Sequence, residues 1–242
     1  MKTVLITGAS HGIGKAIAKK FAREGCQLFL NCRSSAEELT AYAKELSGQY
    51  GIICTPLICD ISDFEQTASM FGKIRSLNGH IDILINNAGV SHIGLLQDMD
   101  IEDWNRIIQT NLTSVFSCCK FVIPQMLQKK QGKIINISSV WGISGASCET
   151  AYSASKGGVN AFTKALAKEL APSGIQVNAI ACGVIDTRMN QCFDEEERTA
   201  LEEEIPAGRF GHPEEIADFA WQLATGHDYL TGQVITIDGG FL

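Results

Sequence analysis

The chain has 242 residues, 45% hydrophobic and 19% charged, with a formal net charge of −7 at pH 7. This balance describes a soluble globular protein and argues against a disordered chain, while the acidic sign argues against broad nonspecific nucleic-acid binding. No apolar run approaches membrane-spanning length, and Val4-Leu5-Ile6 meets a glycine turn too soon to form a signal-peptide core.

Strand and helix patterns alternate along the whole chain. Thr3 to Ile6 is a short apolar strand, followed by a glycine turn and a helix to about Gly25. Gln27 to Cys32 reads as a strand, and Ser34 and Ser35 with Glu37 and Glu38 predict two overlapping capping boxes for the next helix. Ile52 to Cys59 is a strand, after which Ser62-x-x-Glu65 predicts another cap. Ile81 to Asn86 is nearly continuous apolar, as buried parallel strands are. One long helix is predicted from Asp103 to about Lys130, then a strand from Lys133 to Ser138, and a helix from Thr150 to Ala171. Gln176 to Ala181 and Gln233 to Ile237 are the last strands, with Pro213 at an N1 position between them. Seven strands separated by helices imply an α/β fold, a Rossmann-type doubly wound parallel sheet flanked by helices. With no internal repeat or linker, residues 1–242 read as a single domain.

Nine cysteines occur without a Cys-x-x-Cys, and Cys118 and Cys119 are adjacent. This is no zinc or disulfide framework. An odd number without an export signal points to reduced thiols in a cytoplasmic protein, most of them small core residues.

Three groups of residues carry chemistry. Thr7-Gly8-Ala9-Ser10-His11-Gly12-Ile13-Gly14 follows the first strand and opens a helix. There, Gly8 allows a tight turn, Gly12 lets the backbone approach a pyrophosphate, Gly14 permits close helix packing, and the helix N-terminus faces the anion. Tyr152 and Lys156 lie four residues apart, on one face of a helix, and Ser139 ends a strand thirteen residues before Tyr152. A nearby ammonium lowers the cost of ionising a phenol, so the pair suits proton exchange near neutral pH. The third region is the segment from Cys182 to Gly211, which breaks the strand–helix rhythm and carries Asp194-Glu195-Glu196-Glu197 and Glu202-Glu203-Glu204. It reads either as a solvated surface or as a lid over a site.

Taken in order, Gly8-xxx-Gly12-x-Gly14, Asn86-Asn87-Ala88-Gly89, Asn111, Ser139 and Tyr152-xxx-Lys156 resemble the short-chain dehydrogenase/reductase family over essentially the whole chain. Asn111-Leu-Thr-Ser-Val-Phe, Pro206-Ala-Gly-Arg209 and Thr231-Gly232 through Gly239-Gly240 are most similar to its 3-oxoacyl-carrier-protein reductase branch. The resemblance implies an NAD(P)-binding Rossmann domain with a small mobile substrate lid around residues 183–211. It implies that Tyr152 protonates a carbonyl oxygen as hydride arrives, that Lys156 lowers the tyrosine's pKa and binds the nicotinamide ribose, and that Ser139 hydrogen-bonds the substrate oxygen. Asn111 would hold a water linking Lys156 to solvent.

For the cofactor, the resemblance implies contacts from Gly8, Ser10, His11, Gly12, Ile13, Gly14, Asp60, Ile61, Asn87, Ala88, Gly89, Ile185 and Thr187, with Asp60 at the adenine. At the end of the second strand stands Asn31-Cys32-Arg33-Ser34, where Cys32 cannot bind a ribose diol as a carboxylate would and Arg33 can pair with a 2′-phosphate. This favours NADP(H). Against it, related reductases carry arginine where His11 stands, and neutral histidine brings no charge. Cys182 replaces a usual proline, which removes a backbone restraint from the following loop.

The resemblance places Trp141, Ser147, Cys148 and Glu149 near the substrate mouth, with His92, Met189 and Phe193 as looser candidates; the tryptophan and phenylalanine read equally as core. An acyl carrier protein would call for basic residues, which Lys129, Lys130 and Lys133 could supply, although Ser173 stands at the second usual basic position. The stretch from Trp141 to Glu149 also resembles a branch that reduces a ketone attached to a lysine of elongation factor P, with Glu149 available to an amine. Sugar, polyol or steroid substrates, and a non-catalytic cofactor-binding regulator, are further readings. The family also implies a homotetramer built on the two long helices.

Overall fold

The structure, a computed structural model, describes residues 1–77, 79–190 and 194–242. The short apolar runs become β1 (Thr3–Ile6), β2 (Gln27–Cys32), β3 (Cys54–Ile58), β4 (Ile83–Asn86), β5 (Gly132–Ser139), β6 (Ile175–Cys182) and β7 (Val234–Ile237). Between them run α1 (Gly12–Arg23), α2 (Ala36–Tyr50), α3 (Phe64–Ser76), α4 (Ile101–Ile108), α5 (Ser114–Lys129), the single turn α6 (Trp141–Ser144), α7 (Thr150–Leu170), α8 (Glu195–Glu204) and α9 (Pro213–Thr225). All seven strands pair in parallel, in the order β3-β2-β1-β4-β5-β6-β7. Parallel neighbours need crossovers, and helices supply them on both faces.

Alternation along the strands divides the core in two. Val4, Ile6, Leu28 and Leu30 face α1, α2 and α9, packing with Ile17, Phe21, Leu39, Leu46, Ile216 and Leu223. Leu5, Phe29, Leu84, Ile134 and Val177 face the other way, onto Phe71 and Ile74 of α3, Val115 and Val122 of α5, and Val159 and Leu166 of α7. Since β1 lies between β2 and β4, the chain reverses its direction of travel across the sheet there, which opens a crevice at the strands' C-terminal ends.

Several local expectations are corrected. Ser35 is the N-cap of α2 but its side chain makes no capping bond; the Glu38 carboxylate reaches His11 instead of the backbone, so neither predicted box forms. The α3 cap is Asp63, one residue later than expected, accepting from Gln66 N at 2.9 Å. Ser62 instead donates to Asp60 Oδ1 through both its N and its hydroxyl, at 2.9 and 2.7 Å. β3 is shorter than its apolar run because it pairs only with β2 at the sheet's edge, leaving Ile53 exposed. The long helix begins at Asp100, which caps it through Asp103 N at 2.7 Å. It is interrupted by a π-helical turn at Gln109–Thr113, between α4 and α5. Pro213 does occupy the first turn of α9, with the Glu215 carboxylate on His212 N at 2.7 Å.

The segment between β6 and β7 leaves the sheet at Cys182 and returns beside it at Gly211, which bridges Ile185. Its helix α8 buries no residue, has a complete capping box between Asp194 and Glu197, and is tied down by Arg198, which pairs with Asp186 at 3.2 Å.

Phe21 is fully buried with its ring edge-on to Trp221, centroids 5.1 Å apart. Phe21→Ala is expected to lower unfolding stability by about 3–5 kcal/mol, read as a lower denaturant midpoint; a loss below about 1 kcal/mol would contradict this packing.

Candidate active site

Loops at the C-terminal ends of β1 through β6 line one cavity of about 630 Å³. Of the residues predicted to hold a cofactor, Gly8, Ser10, His11, Gly12, Ile13, Arg33, Asp60, Ile61, Asn87, Ala88, Gly89, Ile185 and Thr187 all line it, as do Ser139, Tyr152 and Lys156. The sequence order brings them there because each follows, or lies beside, the end of a strand.

One end of the cavity is a backbone cradle. Gly8 and Gly12 have φ of +63° and +50°, in the region glycine tolerates without strain. A Cβ at Gly8 would stand 2.8 Å from Ala88 Cα, and one at Gly12 would stand 3.1 Å from Thr187 Cγ2. Side chains there would collide with the β4 loop and crowd Thr187, so the turn packs this closely only with glycine. The N-cap of α1, His11, is extended and makes no side-chain capping bond, so the helix presents its first N–H groups and its positive dipole end. These features fit the diphosphate of a dinucleotide.

Two predicted cofactor residues have other tasks. Gly14 does not line the cavity; it packs against Gly8 O and the Asn87 amide, letting α1 approach the β1 loop. Asn87 lines the cavity, and its side chain is engaged by the protein itself. Its side-chain amide donates to Thr7 O at 2.9 Å and Gly8 O at 3.0 Å, stapling the β4 loop to the β1 loop. Thr7 completes the staple by accepting from Asn87 N at 3.0 Å and Ala88 N at 3.2 Å.

At the other end stand Tyr152, Ser139 and Lys156, all buried. Lys156 Nζ donates to Ile137 O at 2.8 Å and lies 5.6 Å from the centroid of the Tyr152 ring. Burial pulls the ammonium down to about 8, opposed by the Cys182 thiol. Burial also pushes the Tyr152 phenol well above its usual value, with Cys182 and Glu149 adding to the rise and a hydrogen bond with Ser139 opposing it. Desolvation is the largest cause of this rise, so burial favours the protonated phenol.

Asn111 sits in the π turn and is 1% exposed. Its amide accepts from Val90 N and donates to Val90 O, both at 2.8 Å, and donates to Ser155 Oγ at 3.0 Å. The side chain is thus engaged in holding the β4–α4 loop against α7. π turns concentrate at functional sites. Here the turn aims Asn111 at the loop, and Ser114 and Ser117 bond to carbonyls of Thr110 and Thr113.

The substrate candidates divide. Ser139 and Met189 line the cavity, whereas Trp141, Ser147, Cys148, Glu149 and His92 do not; Phe193 lies outside the described residues. Trp141 packs edge-on against Phe241, centroids 5.4 Å apart, and bonds Glu149. Burial raises the Glu149 carboxyl above its usual range, and its charge is felt by Tyr152. These residues form a rim beyond Tyr152 and not the cavity wall. Cys148, at φ +62°, accepts from Gly94 N at 2.8 Å and joins the rim to the β4–α4 loop. His92 pairs with Asp103 at 3.3 Å.

Cys182 stands opposite Ser139 in the sheet register, and burial pushes its thiol up to about 12. The ladder bonds Val140 N to Cys182 O and Gly183 N to Ile237 O, both 2.9 Å, hold the loop's start in place of a proline ring. The sequence reading missed Arg106, Thr110 and Arg188 as cavity residues. For Arg188 a signal existed, since it directly follows Thr187 in the loop already assigned to the site. Among the described residues the eight cysteines are free and no His/Cys/Asp/Glu group could hold a metal.

A family model for short chain dehydrogenases matches residues 2–198. The 3-oxoacyl-[acyl-carrier-protein] reductase of Thermotoga maritima is 43% identical over 242 residues, covering 100% of this chain and 98% of that protein. Among solved structures, a 3-oxoacyl-[acyl-carrier protein] reductase with bound NAD from Brucella melitensis superposes with a TM-score of 0.91 at 32% identity, covering 100% of this chain and 91% of that one. A putative gluconate dehydrogenase from Agrobacterium tumefaciens gives 0.94 at 32% identity, covering 99% and 95%.

The depressed Lys156 pKa carries a stability consequence. Between about 8 and its ordinary 10.5 the unfolded chain binds the proton and the folded chain does not, so this group's contribution to stability rises with pH across that window. Below it, folding bears the full cost of burying a charge. Lys156→Met is therefore expected to stabilise the cofactor-free protein at pH 7 by on the order of 1–3 kcal/mol, with the gain shrinking as pH approaches 10. Denaturant titrations of both proteins across pH check this; a gain that grows with pH would contradict it.

Proposed function

The chain belongs to the short-chain dehydrogenase family, and we propose that it is an NADPH-dependent carbonyl reductase acting on a 3-oxoacyl group held as a thioester on an acyl carrier protein. The observation that carries the reduction is a buried phenol, kept protonated, beside a serine hydroxyl at the closed end of the cavity. When bound, the nicotinamide cofactor supplies the hydride. Ser139 donates a hydrogen bond to the carbonyl oxygen, and Tyr152 delivers a proton to it as negative charge develops. Lys156, fixed on Ile137 O, places positive charge at the tyrosine and the ribose side. Asn111 positions α7 through Ser155 and keeps the β4–α4 loop closed on the site. This intact set argues against a regulator without catalysis.

The 2′-phosphate form of the cofactor is favoured by the end of β2. Cys32 offers no carboxylate to a ribose diol, and Arg33 is exposed, lines the cavity and has no ion pair among the described residues. The carrier-linked substrate is supported by the full-length likeness to the Thermotoga reductase. The segment around 183–211 would act as a lid, with Ile205 and Phe210 as its buried anchors. Reduced thiols and the absence of any helix long and apolar enough to cross a membrane, among the described residues, accord with a cytoplasmic setting.

A second reading, a ketone on a lysine of elongation factor P, is favoured by charge. Glu149 puts a partly buried carboxylate at the rim, and α8 adds exposed glutamates. The lysines expected to meet a carrier protein lie at the opposite end of the sheet, in and around the start of β5. Lys133 is buried and paired with Asp228 at 2.8 Å, and Lys129 pairs with Asp82 at 3.7 Å.

NADPH oxidation measured with acetoacetyl carrier protein, acetoacetyl-CoA and ketone-modified elongation factor P ranks the two readings, and activity with none of them overturns both. Tyr152→Phe is expected to cut turnover by about 10²–10⁴-fold while leaving the Kd for NADPH unchanged; comparable turnover in the variant removes the tyrosine from its role. The exposed apolar side chains Phe116 and Leu127 of α5 are expected to be covered by a second copy in a homotetramer. A monomer mass by light scattering would contradict that assembly.

A further inference from the structure

One contact crosses the cofactor end of the cavity. Arg188, on the 3-10 turn Arg188–Asn190 that follows β6, is exposed and lines the cavity. Its Nη1 lies 2.6 Å from His11 Nε2, and the same ring nitrogen lies 2.5 Å from Glu38 Oε2. The other ring nitrogen is 2.9 Å from Ser10 Oγ. His11 caps α1 and Glu38 belongs to the first turn of α2. A guanidinium that starts on the β6 side is therefore held on the β2–α2 side, above the α1 N-terminus, where Thr187 closes on Gly12.

The charges at that point favour an anion. Arg33 enters the same cavity from the end of β2. Glu38 does not line the cavity whereas His11 does, so the imidazole stands between this carboxylate and the space the two arginines face. The helix end adds its own partial positive charge. Two planar guanidinium forks approaching from opposite walls match the oxygens of a phosphate monoester better than those of a neutral ribose.

We infer that Arg188 is a specificity-determining residue which, with Arg33, clamps the 2′-phosphate of the cofactor's adenosine, and that its contact with His11 places the guanidinium across the cleft. This rests on the NADPH reading and deepens it. Arg188 then supplies a guanidinium charge from the far wall of the cleft. The clamp also couples the segment after β6 to cofactor binding, because the residue that grips the adenosine end follows Thr187 directly.

Calorimetric titration with adenosine 2′,5′-bisphosphate, 5′-AMP, NADPH and NADH isolates the effect without turnover. Arg188→Ala is expected to weaken the bisphosphate and NADPH by about tenfold or more while leaving 5′-AMP and NADH within about twofold. Arg188→Lys keeps the charge without the fork and is expected to fall between the two, which also guards against a loop disturbed by truncation. Equal losses on all four ligands, or no loss on the phosphorylated pair, would overturn the assignment of Arg188. Wild-type protein binding NADH as tightly as NADPH would overturn the NADPH reading beneath it, a result separable from any behaviour of the variant.

Discussion

The site is organised around a buried ammonium. Lys156 is 4% exposed, and its Nζ is held by one backbone carbonyl at the end of the sheet. Burying a lysine is costly unless its surroundings are polar and fixed. Asn160, one turn after Lys156, accepts from Ser138 at 2.7 Å and donates to Gly142 O at 3.0 Å, so α6 and β5 are bound to the same helix face. A Cβ at Gly142 would stand 2.6 Å from the Lys156 carbonyl carbon, which is why the turn after β5 can close on α7 only with glycine there. Gly89 approaches from the other side, where a Cβ would stand 3.5 Å from Lys156 Nζ and 3.4 Å from Asn111 Oδ1. Tyr152, one turn before the lysine, is placed by the same helix and needs no separate support.

The parallel sheet determines where this arrangement faces. Every strand ends on the same edge, so the loops after β1, β4, β5 and β6 converge without long excursions. The division of labour follows strand order. β1 and β2 present backbone and arginine chemistry suited to phosphate, while β5 and α7 present hydroxyls and the ammonium. Between them the Asn87–Thr7 staple fixes the spacing of the two halves, because it joins the loops on either side of the crevice at four hydrogen bonds. The fold sets these positions, while the rim from Trp141 to Glu149 and the segment after β6 lie outside the sheet.

Much of this was legible in the sequence, and for identifiable reasons. Buried parallel strands are apolar throughout, so β4 and β5 announce themselves within two residues of their true ends. The glycine turn and the Tyr152–Lys156 pair depend on local spacing alone, and local spacing survives folding. What was not legible depends on partners distant in the chain. The Ser35–Glu38 pattern fits a capping box, yet Glu38 is drawn to His11, a partner invisible to local pattern. Asn87 reads as a ligand residue and is a staple, since its acceptors lie 80 and 79 positions away. The π turn at Asn111 leaves no local sequence mark, and the amide it carries bonds both the β4–α4 loop and α7, 21 and 44 positions away. Lys129 and Lys133 form a basic patch on paper, and Asp82 and Asp228 neutralise them in space.

Burial decides which protonation state of Tyr152 this pocket favours. Reducing a carbonyl generates an oxyanion, and the group beside it must hold a proton and give it up to a strong base. A phenol raised by burial meets both conditions, since an alkoxide is far more basic than any phenolate. Oxidising an alcohol needs the reverse, a phenolate ready to accept, and this pocket opposes that form through burial, Glu149 and Cys182 together. The hydrogen bond with Ser139 opposes the rise of the phenol's pKa, and Lys156, its amine pulled down to about 8, still carries its charge at neutral pH beside the ring. The same burial that makes Lys156 expensive to fold favours the protonated form of Tyr152.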